Sequence, residues 1–163
     1  MASSGKKGRD GEPDPVMENR KARHDYHIGT TLECGLRLQG SEVKSFRRGQ
    51  VSLNEGWVRS DTEPLGLTLM QVHVAEYGPA GARQHTAVRP RRLLAHTREI
   101  RKLSEEAKAK SGTIVPLKIY FVRGVAKVLV GVGIGKNKSD KRQDMAKKTH
   151  QRDMDRAMSK RRD

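Results

Sequence analysis

The last Val, Leu or Ile residue of this chain is Ile134. From Lys136 to the last residue, Asp163, there is no Val, Leu, Ile or aromatic residue, and charged residues are frequent. Such a segment cannot bury enough apolar surface to offset the entropy lost on ordering. Residues 1–18 also offer little apolar surface to bury, because Gly and Pro residues are interspersed with charged ones there. The sequence therefore predicts one core built from residues 19–135, a disordered N-terminal arm (1–18) and a basic tail (136–163).

Alternation of apolar and polar residues is the main pattern inside this core. It begins with the series Ile28, Thr30, Leu32, Cys34, Leu36 and Leu38. A period of two is typical of half-buried strands, and here it predicts one strand bent near Gly29 or Gly35, or two successive strands. Further strand patterns cover residues 51–58, 67–74, 113–122 and 125–134, with a tight Arg123-Gly124 turn between the last two.

Two segments have the pattern of helices. Ser41 can cap a short helix that runs to Arg48 and stops at Gly49. Thr97 can cap a longer helix that runs to Lys110, before Gly112. Ile100, Leu103 and Ala107 form the apolar stripe of this longer helix. Trp57 lies in one of the strand patterns, and its side chain is expected to pack in the hydrophobic core. Residues 76–90 lack periodicity and predict a long, basic, mobile loop.

About six strands with two or three embedded helices indicate a mainly β fold. Closure into a small antiparallel barrel is favoured, because it removes exposed strand edges. An open α+β sheet is equally compatible with composition and periodicity alone.

The charge of the chain indicates a polyanionic partner. There are 34 Lys and Arg against 19 Asp and Glu, a formal net charge of +15. Nucleic acid fits, because each neutralised phosphate releases a condensed counterion. A membrane does not fit, since the longest apolar run, 128–134, is too short to span one. The N-terminus lacks a secretory apolar stretch, so we expect a cytoplasmic protein.

The sequence gives no support for a metal site, a cofactor or catalysis. Cys34 is the only cysteine, which excludes an intrachain disulfide and indicates a buried thiol. Gly133, Gly135 and Lys136 lack the flanking residues of a phosphate-binding loop, and the glycines are expected to relax a closing strand. An RNA-cleaving pair of His24 with another histidine such as His73 or His96 is conceivable. On a strand, however, His24 would share a face with Tyr26 rather than with Asp25, and a surface histidine is the simpler interpretation.

Several separated blocks of residues occur in one order along the chain. They are residues 19–26 (NRKARHDY), 33–35 (ECG), 40–47 (GSEVKSFR), 91–100, 115–121 and 135–142. Their order and spacing resemble the SmpB family, the protein partners of transfer-messenger RNA. The resemblance covers approximately residues 19–142.

This resemblance implies an oligonucleotide-binding (OB) barrel with embedded helices and a non-catalytic adaptor function. Members of the family bind the tRNA-like part of transfer-messenger RNA and carry it, with elongation factor Tu, into stalled ribosomes. Their basic tail occupies the vacant message channel beyond the decoding centre of the small subunit. We accordingly expect a monomer that needs no cofactor, with a tail that is disordered alone and helical on the ribosome.

The resemblance also implies a set of site residues. RNA contacts are expected at Asn19, Arg23, His24, Tyr26, Glu33, Lys44, Arg47 and His96. Ribosome contacts are expected in the tail at Gly135, Lys136, Lys138, Asp140, Lys141 and Arg142. Asn137 and Ser139 depart from the family pattern, which has lysines after the glycine and a histidine or aromatic residue before Asp-Lys-Arg. Lys138 can supply one of the missing charges.

Two other functions remain open. One is a general single-strand RNA-binding OB protein, although the aromatic content of 4% is low for a surface that stacks successive bases. The other is an RNA-processing enzyme, which would require RNA cleavage or modification that depends on His24.

Overall fold

A computed structural model of the chain describes residues 14–159. Most of the predicted N-terminal arm, and the last four residues of the tail, lie outside this range. The described part contains nine strands and four α-helices, together with a 3-10 helix at Gly78–Arg83. The strands are β1 (Met17–Glu18), β2 (Tyr26–Leu36), β3 (Val51–Ser52), β4 (Trp57–Thr62), β5 (Leu65–Met70), β6 (His73–Val74), β7 (Arg91–Leu94), β8 (Thr113–Val122) and β9 (Val125–Gly135). The helices are α1 (Arg20–Asp25), α2 (Gly40–Arg47), α3 (Thr97–Ala109) and α4 (Lys138–Ser159).

The sheet confirms the mainly β fold. Seven strands lie in the order β1-β8-β4-β5-β7-β2-β9, and β9 pairs again with β8. The pairings of six strands therefore run in a closed cycle, to which β1 adds outside β8. All of these pairings are antiparallel, and β3 and β6 form a separate two-stranded sheet. The predicted β8–β9 hairpin is present, and both turn residues, Arg123 and Gly124, have positive φ.

The core lies among these strands and beneath α3. Its fully buried side chains include Phe46, Leu67, Leu69, Ile119 and Val128. The predicted stripe of α3 is also buried. Cys34 has no exposed surface, and its burial raises the pKa of the thiol to about 12.

A β-bulge in β2 lies near Gly29, one of the two places where a bend was predicted, and it interrupts the alternating series that began at Ile28. Ile28 lies opposite Gly133 and Thr31 lies opposite Gly131, so two residues of β2 face one residue of β9. The extra residue reverses which side chains point inward. Thr30 is exposed, and Ile28 packs outside the main core, whereas Leu32, Cys34 and Leu36 keep the predicted inward direction.

Helix α1 covers a second apolar cluster on the outside of the sheet. Ala22 packs on Val115 and Leu117, and half-buried Tyr26, Ile28 and Leu129 border them. Residues 20–25 are thus helical, which contradicts the extended conformation assumed for His24. The end of the predicted N-terminal arm also differs from expectation, because Met17 is buried and lies opposite Ile119.

Several local predictions need correction. The N-cap of α2 is Gln39 rather than Ser41, and the N-cap of α3 is His96 rather than Thr97. Gly112 was expected to end α3, but the residue with left-handed backbone after this helix is Ser111, with φ of 47°. Trp57 is 38% exposed and is not a core residue.

The segment before β7 is anchored, in contrast to the mobile loop predicted over residues 76–90. His85 is buried, and its Nδ1 lies 3.0 Å from the Ser41 hydroxyl. Glu42 is fully buried and accepts hydrogen bonds from Arg91, at 2.8 Å, and from Arg89. Burial would raise the pKa of Glu42, but these two guanidinium groups hold it below its usual value. Arg91 itself is fully buried and also donates to the carbonyl oxygens of Val72, Ala87 and Arg89.

The tail forms the helix α4, and the expected change from disorder to helix on the ribosome stays a prediction. Its residues are exposed along most of its length, and Met154 and Met158 remain uncovered. Within residues 14–159, no helix is both long and apolar enough to cross a bilayer.

Candidate nucleic-acid interface

The outer surface of strands β2, β7, β8 and β9 forms a continuous basic face. Side chains alternate between the two sides of a strand, so the residues between the buried ones point outward. We call this surface the outer basic face and define it by Arg37, Glu33, Arg92, Leu94, Lys118, Tyr120 and Lys127. Strand pairing brings them together, because Gly35 lies opposite both Leu94 and Lys127, and Lys127 lies opposite Tyr120.

Glu33 is the acidic centre of this face. Its carboxylate accepts hydrogen bonds from the Tyr120 hydroxyl and lies 3.1 Å from the Lys127 ammonium. These two groups hold the pKa of Glu33 below its usual value. Burial, followed by the hydrogen bond to Glu33, raises the pKa of Tyr120 to about 12. Lys118 lies 4.9 Å from the centre of the Tyr120 ring, so the arrangement presents ammonium groups around a fixed aromatic ring.

Asn19 is buried, and its side chain forms hydrogen bonds within the fold. Only 1% of its surface is accessible, and its side-chain oxygen accepts a hydrogen bond from the Ala22 amide at 2.9 Å. Its amide nitrogen donates to the carbonyl oxygens of Leu53 and Pro116 at 2.9 and 3.0 Å. The side chain thus caps α1 and fixes it to β8 and to the segment after β3, so its placement does not support direct contact with RNA.

Arg23, His24 and Tyr26 lie around the end of α1. Arg23 and His24 are exposed and line, with Lys136 and Asp144, a cleft of about 350 Å³. His24 Nδ1 lies 2.9 Å from the Asp25 carboxylate. Tyr26 is half-buried, and its ring lies over Gly133, where a Cβ atom would come within about 3.0 Å of it. The missing side chain at Gly133 therefore provides the room for the tyrosine.

The base of the tail joins this group. Lys136 donates hydrogen bonds to the Arg23 carbonyl at 3.0 Å and to the Asp144 carboxylate at 2.7 Å, and its amide donates to the Asp25 carbonyl at 2.8 Å. Lys141 donates to the Asp25 carboxylate at 2.8 Å. Lys136 is thus anchored to α1, whereas the predicted boundary between core and tail lies just before it.

The remaining tail residues differ in their exposure. Asp140 accepts from the Asn137 amide at 3.3 Å and lies 3.4 Å from His27. Gly135, Lys138 and Arg142 are exposed, as ribosome contacts would require.

The structure does not unite the other predicted RNA contacts with the outer basic face. Lys44 and Arg47 lie on α2, which packs against β6. Arg47 is half-buried, and its Nε is buried without a hydrogen-bond partner in the described structure. His96 is exposed at the start of α3, where its amide donates to Glu99 at 3.1 Å.

Glu33 is the one residue of the outer basic face that belongs to the predicted site, and its other six residues were absent from the prediction: Arg37, Arg92, Leu94, Lys118, Tyr120 and Lys127. A signal for three of them was available in the sequence. Once the Arg123-Gly124 turn fixes the hairpin, Tyr120 must lie opposite Lys127, and Lys118 shares the face of Tyr120. Arg37 and Arg92 gave no such signal, because β2 and β7 are far apart in sequence.

The described residues do not assemble a catalytic or metal centre from the histidines. Within residues 14–159, His24 contacts Asp25, and no imidazole is hydrogen-bonded to another. The same part of the chain contains no group of three His, Cys, Asp or Glu residues placed to hold a metal ion.

Comparison with known proteins identifies the family. Residues 16–160 match the family described as SmpB protein. The SsrA-binding protein of Staphylococcus carnosus (strain TM300) is 45% identical over 149 residues, 91% of this chain and 94% of the relative. That of Anoxybacillus flavithermus (strain DSM 21510 / WK1) is 44% identical over 151 residues, 93% of this chain and 97% of the relative.

A solved structure agrees with the two sequence comparisons. A chain from "tmRNA-SmpB: a journey to the center of the bacterial ribosome" superposes with a TM-score of 0.64 and 43% identity, covering 76% of this chain and 86% of that one. The protein described here therefore belongs to the SmpB family.

Proposed function

We propose that this protein binds the tRNA-like domain of transfer-messenger RNA and delivers it to stalled ribosomes for trans-translation. The names of its relatives, SsrA-binding proteins, and the solved tmRNA-SmpB structure support the assignment. In this proposal the protein is a cytoplasmic, monomeric, non-catalytic adaptor. Elongation factor Tu joins it through the shared RNA.

The observation that carries this proposal is the outer basic face. The Glu33 carboxylate orients Tyr120 and Lys127, so an aromatic ring and an ammonium group are held in place before RNA arrives. Fixed groups of this kind suit a folded RNA with exposed base and ribose edges. Arg23, His24 and Tyr26 extend the surface toward the base of the tail.

The closed cycle of six paired strands supports an OB-like barrel as the scaffold of this surface. The barrel holds β2, β8 and β9 side by side, and α1 packs on the same outer side as Lys118 and Tyr120. The face and the start of the tail are therefore attached to one rigid body.

The tail is proposed to occupy the vacant message channel through Lys138, Asp140, Lys141 and Arg142. Helix α4 supports this role, because it is exposed along most of its length and half of its residues are charged. Lys136 remains with the barrel and sets the direction in which the helix leaves.

A competition experiment tests the RNA partner. The tRNA-like domain should displace a labelled copy of itself at concentrations at least about 100-fold lower than an unstructured oligonucleotide of equal length requires. Lys127→Gln should weaken binding by about 10- to 150-fold, on the basis of about 1.5–3 kcal/mol for a hydrogen bond to a charged group. Lys102→Gln, on the exposed side of α3, is the matched control with the same change in charge. Equal competition by the two RNAs would instead favour a general single-strand RNA-binding protein.

A truncation tests the division between barrel and tail. A chain that ends after Asn137 keeps Lys136 and its contacts with Arg23 and Asp25. It should bind the tRNA-like domain within about twofold of the full chain, since no contact of the outer basic face is lost, yet fail to support tagging on stalled ribosomes. Loss of RNA affinity on truncation would contradict this division.

A further inference from the structure

A cleft at one end of the outer basic face is lined by three arginines. Arg37, Arg89 and Arg92 surround a volume of about 440 Å³ together with Leu38, Gln39 and Pro90. None of the three was among the residues predicted to contact RNA. We call this feature the arginine cleft.

Two of the three guanidinium groups are unneutralised. Arg89 is neutralised, because it donates to the buried Glu42 and to the Pro90 carbonyl. Arg37 and Arg92 are exposed, and within residues 14–159 neither side chain has an acidic partner or a hydrogen bond. Two adjacent unpaired positive charges repel each other, and an anion placed between them relieves that repulsion.

The backbone fixes the spacing of the two arginines. The Arg37 amide donates to the Arg92 carbonyl at 3.1 Å, so Arg37, the residue that follows β2, is held beside Arg92 of β7. The Arg92 guanidinium extends over β5, where its Nη2 lies 3.4 Å from the position of a Cβ atom on Gly66. Gly66 thus leaves the room that lets Arg92 lie flat against the sheet.

The chemistry of the cleft fits a phosphodiester. A guanidinium presents two parallel N–H groups that match the oxygens of a phosphate. Arg37 follows Glu33 by four residues on the same side of β2, a separation of about 13 Å along a strand. An RNA that contacts Glu33, Tyr120 and Lys127 would therefore run its backbone within reach of the cleft.

We propose that Arg37 and Arg92 bind a backbone phosphate of the RNA and that this cleft is a second anchoring point at the far end of β2 from Tyr26. The inference rests on the proposed function, because it takes the tRNA-like RNA as the ligand. The contact positions the RNA on the barrel and does not read its sequence.

The test is the salt dependence of RNA binding. Each phosphate contact contributes a slope of about 0.7–0.9 to the fall of log affinity with log salt. With the tRNA-like domain as probe, the double variant Arg37→Gln, Arg92→Gln should bind more weakly, and its slope should be shallower by about 0.7–1.8, according to whether the two arginines share one phosphate or hold two. The variant Arg37→Lys, Arg92→Lys should retain the slope of the wild type, because both charges are kept.

The double variant Arg101→Gln, Lys102→Gln on α3 is the control, because it removes the same charge from exposed positions outside the cleft. A thermal melt of each variant establishes that the fold is retained. A double variant Arg37→Gln, Arg92→Gln whose slope equals that of the wild type, or of the control, would overturn the inference while leaving the proposed function intact. Failure of the wild type to prefer the tRNA-like domain would overturn the proposed function, and the inference with it.

Discussion

The Lys141 ammonium donates a hydrogen bond to the Asp25 carboxylate at 2.8 Å, which fastens the tail helix to the last residue of α1. Asp25 also lies 2.9 Å from His24, and these two partners hold the pKa of the carboxyl below its usual value. A residue expected to bind RNA and a residue expected to bind the ribosome thus share one acidic partner. Through its contacts with His24 and Lys141, Asp25 connects the expected RNA-binding surface with the tail.

Replacement of Asp25 by Asn should loosen the first turns of α4. The change keeps the shape of the side chain and removes the charge that attracts Lys141. Partly exposed pairs contribute about 1 kcal/mol or less, so amide exchange in residues 138–146 should accelerate by about two- to fivefold. Hydrogen exchange followed by NMR measures this effect.

Asp155→Asn is the matched control, because Asp155 lies near the other end of the helix and contacts Gln151. Unchanged protection of residues 138–146 in the Asp25 variant would show that the tail helix does not depend on this contact.

Removal of the buried arginine of the core should be strongly destabilising. In Arg91→Met the buried Glu42 carboxylate keeps hydrogen bonds only from Arg89 and the Gln39 amide, and the carbonyls of Val72, Ala87 and Arg89 each lose one hydrogen bond. Breaking a buried ion pair on one side costs about 3–5 kcal/mol in the free energy of unfolding. Urea denaturation should show this loss, whereas Arg59→Met, which breaks the exposed pair with Asp61, should cost less than about 1 kcal/mol. A loss as small as that of Arg59→Met would contradict the role assigned to Arg91.

The Glu33 carboxyl should titrate below its normal value of 4.5. Because its pKa is lower in the folded chain, the network stabilises the fold fully above pH 4.5. That contribution is lost as the pH falls through the folded pKa. NMR titration of the carboxyl carbon between pH 2 and 7 measures the midpoint, and Tyr120→Phe and Lys127→Met should each move it upward. A midpoint at or above 4.5 in the wild type would exclude the proposed network.

The single thiol should be inert in the native protein. Cys34 is fully buried and its pKa is raised to about 12, so hardly any thiolate exists at pH 8. A thiol-specific chromogenic reagent should react with it only after unfolding in urea. Rapid stoichiometric reaction of the folded chain at pH 8 would mean that the strand around Cys34 opens readily.

Much of the fold follows from local patterns that the sequence states directly. The Arg123-Gly124 turn determines the β8–β9 register, and the stripe of Ile100, Leu103 and Ala107 determines the buried side of α3. Both features depend on residues close together in the chain, where turn geometry and helical periodicity act without help from the rest of the molecule.

The errors arise where distant parts of the chain decide the outcome. Asn19 carries a capping side chain with the spacing expected of an N-cap, yet its burial depends on carbonyls supplied by Leu53 and Pro116. Glu42 and Arg91 likewise meet only after the chain has folded, so the anchoring of residues 85–91 could not be read from their polarity.

Only part of the candidate site was predicted, because its residues also come from distant parts of the chain. The family resemblance named Glu33, whose partners Tyr120 and Lys127 lie on two other strands. Whether Lys44, Arg47 and His96 contact RNA remains a prediction, because these residues lie on α2 and at the start of α3.

The bulge in β2 makes this strand intolerant of small changes in length. At this bulge, and nowhere else in β2, the alternation of inward and outward side chains shifts by one residue. Tyr26 and Glu33 therefore lie on the same surface although they are seven positions apart. Loss of either Gly29 or Thr30 would restore simple alternation and turn one half of the strand over. Either the residues around Tyr26 or those around Glu33 would then face the interior. A variant one residue shorter would lose half of the proposed RNA surface while keeping every side chain that forms it.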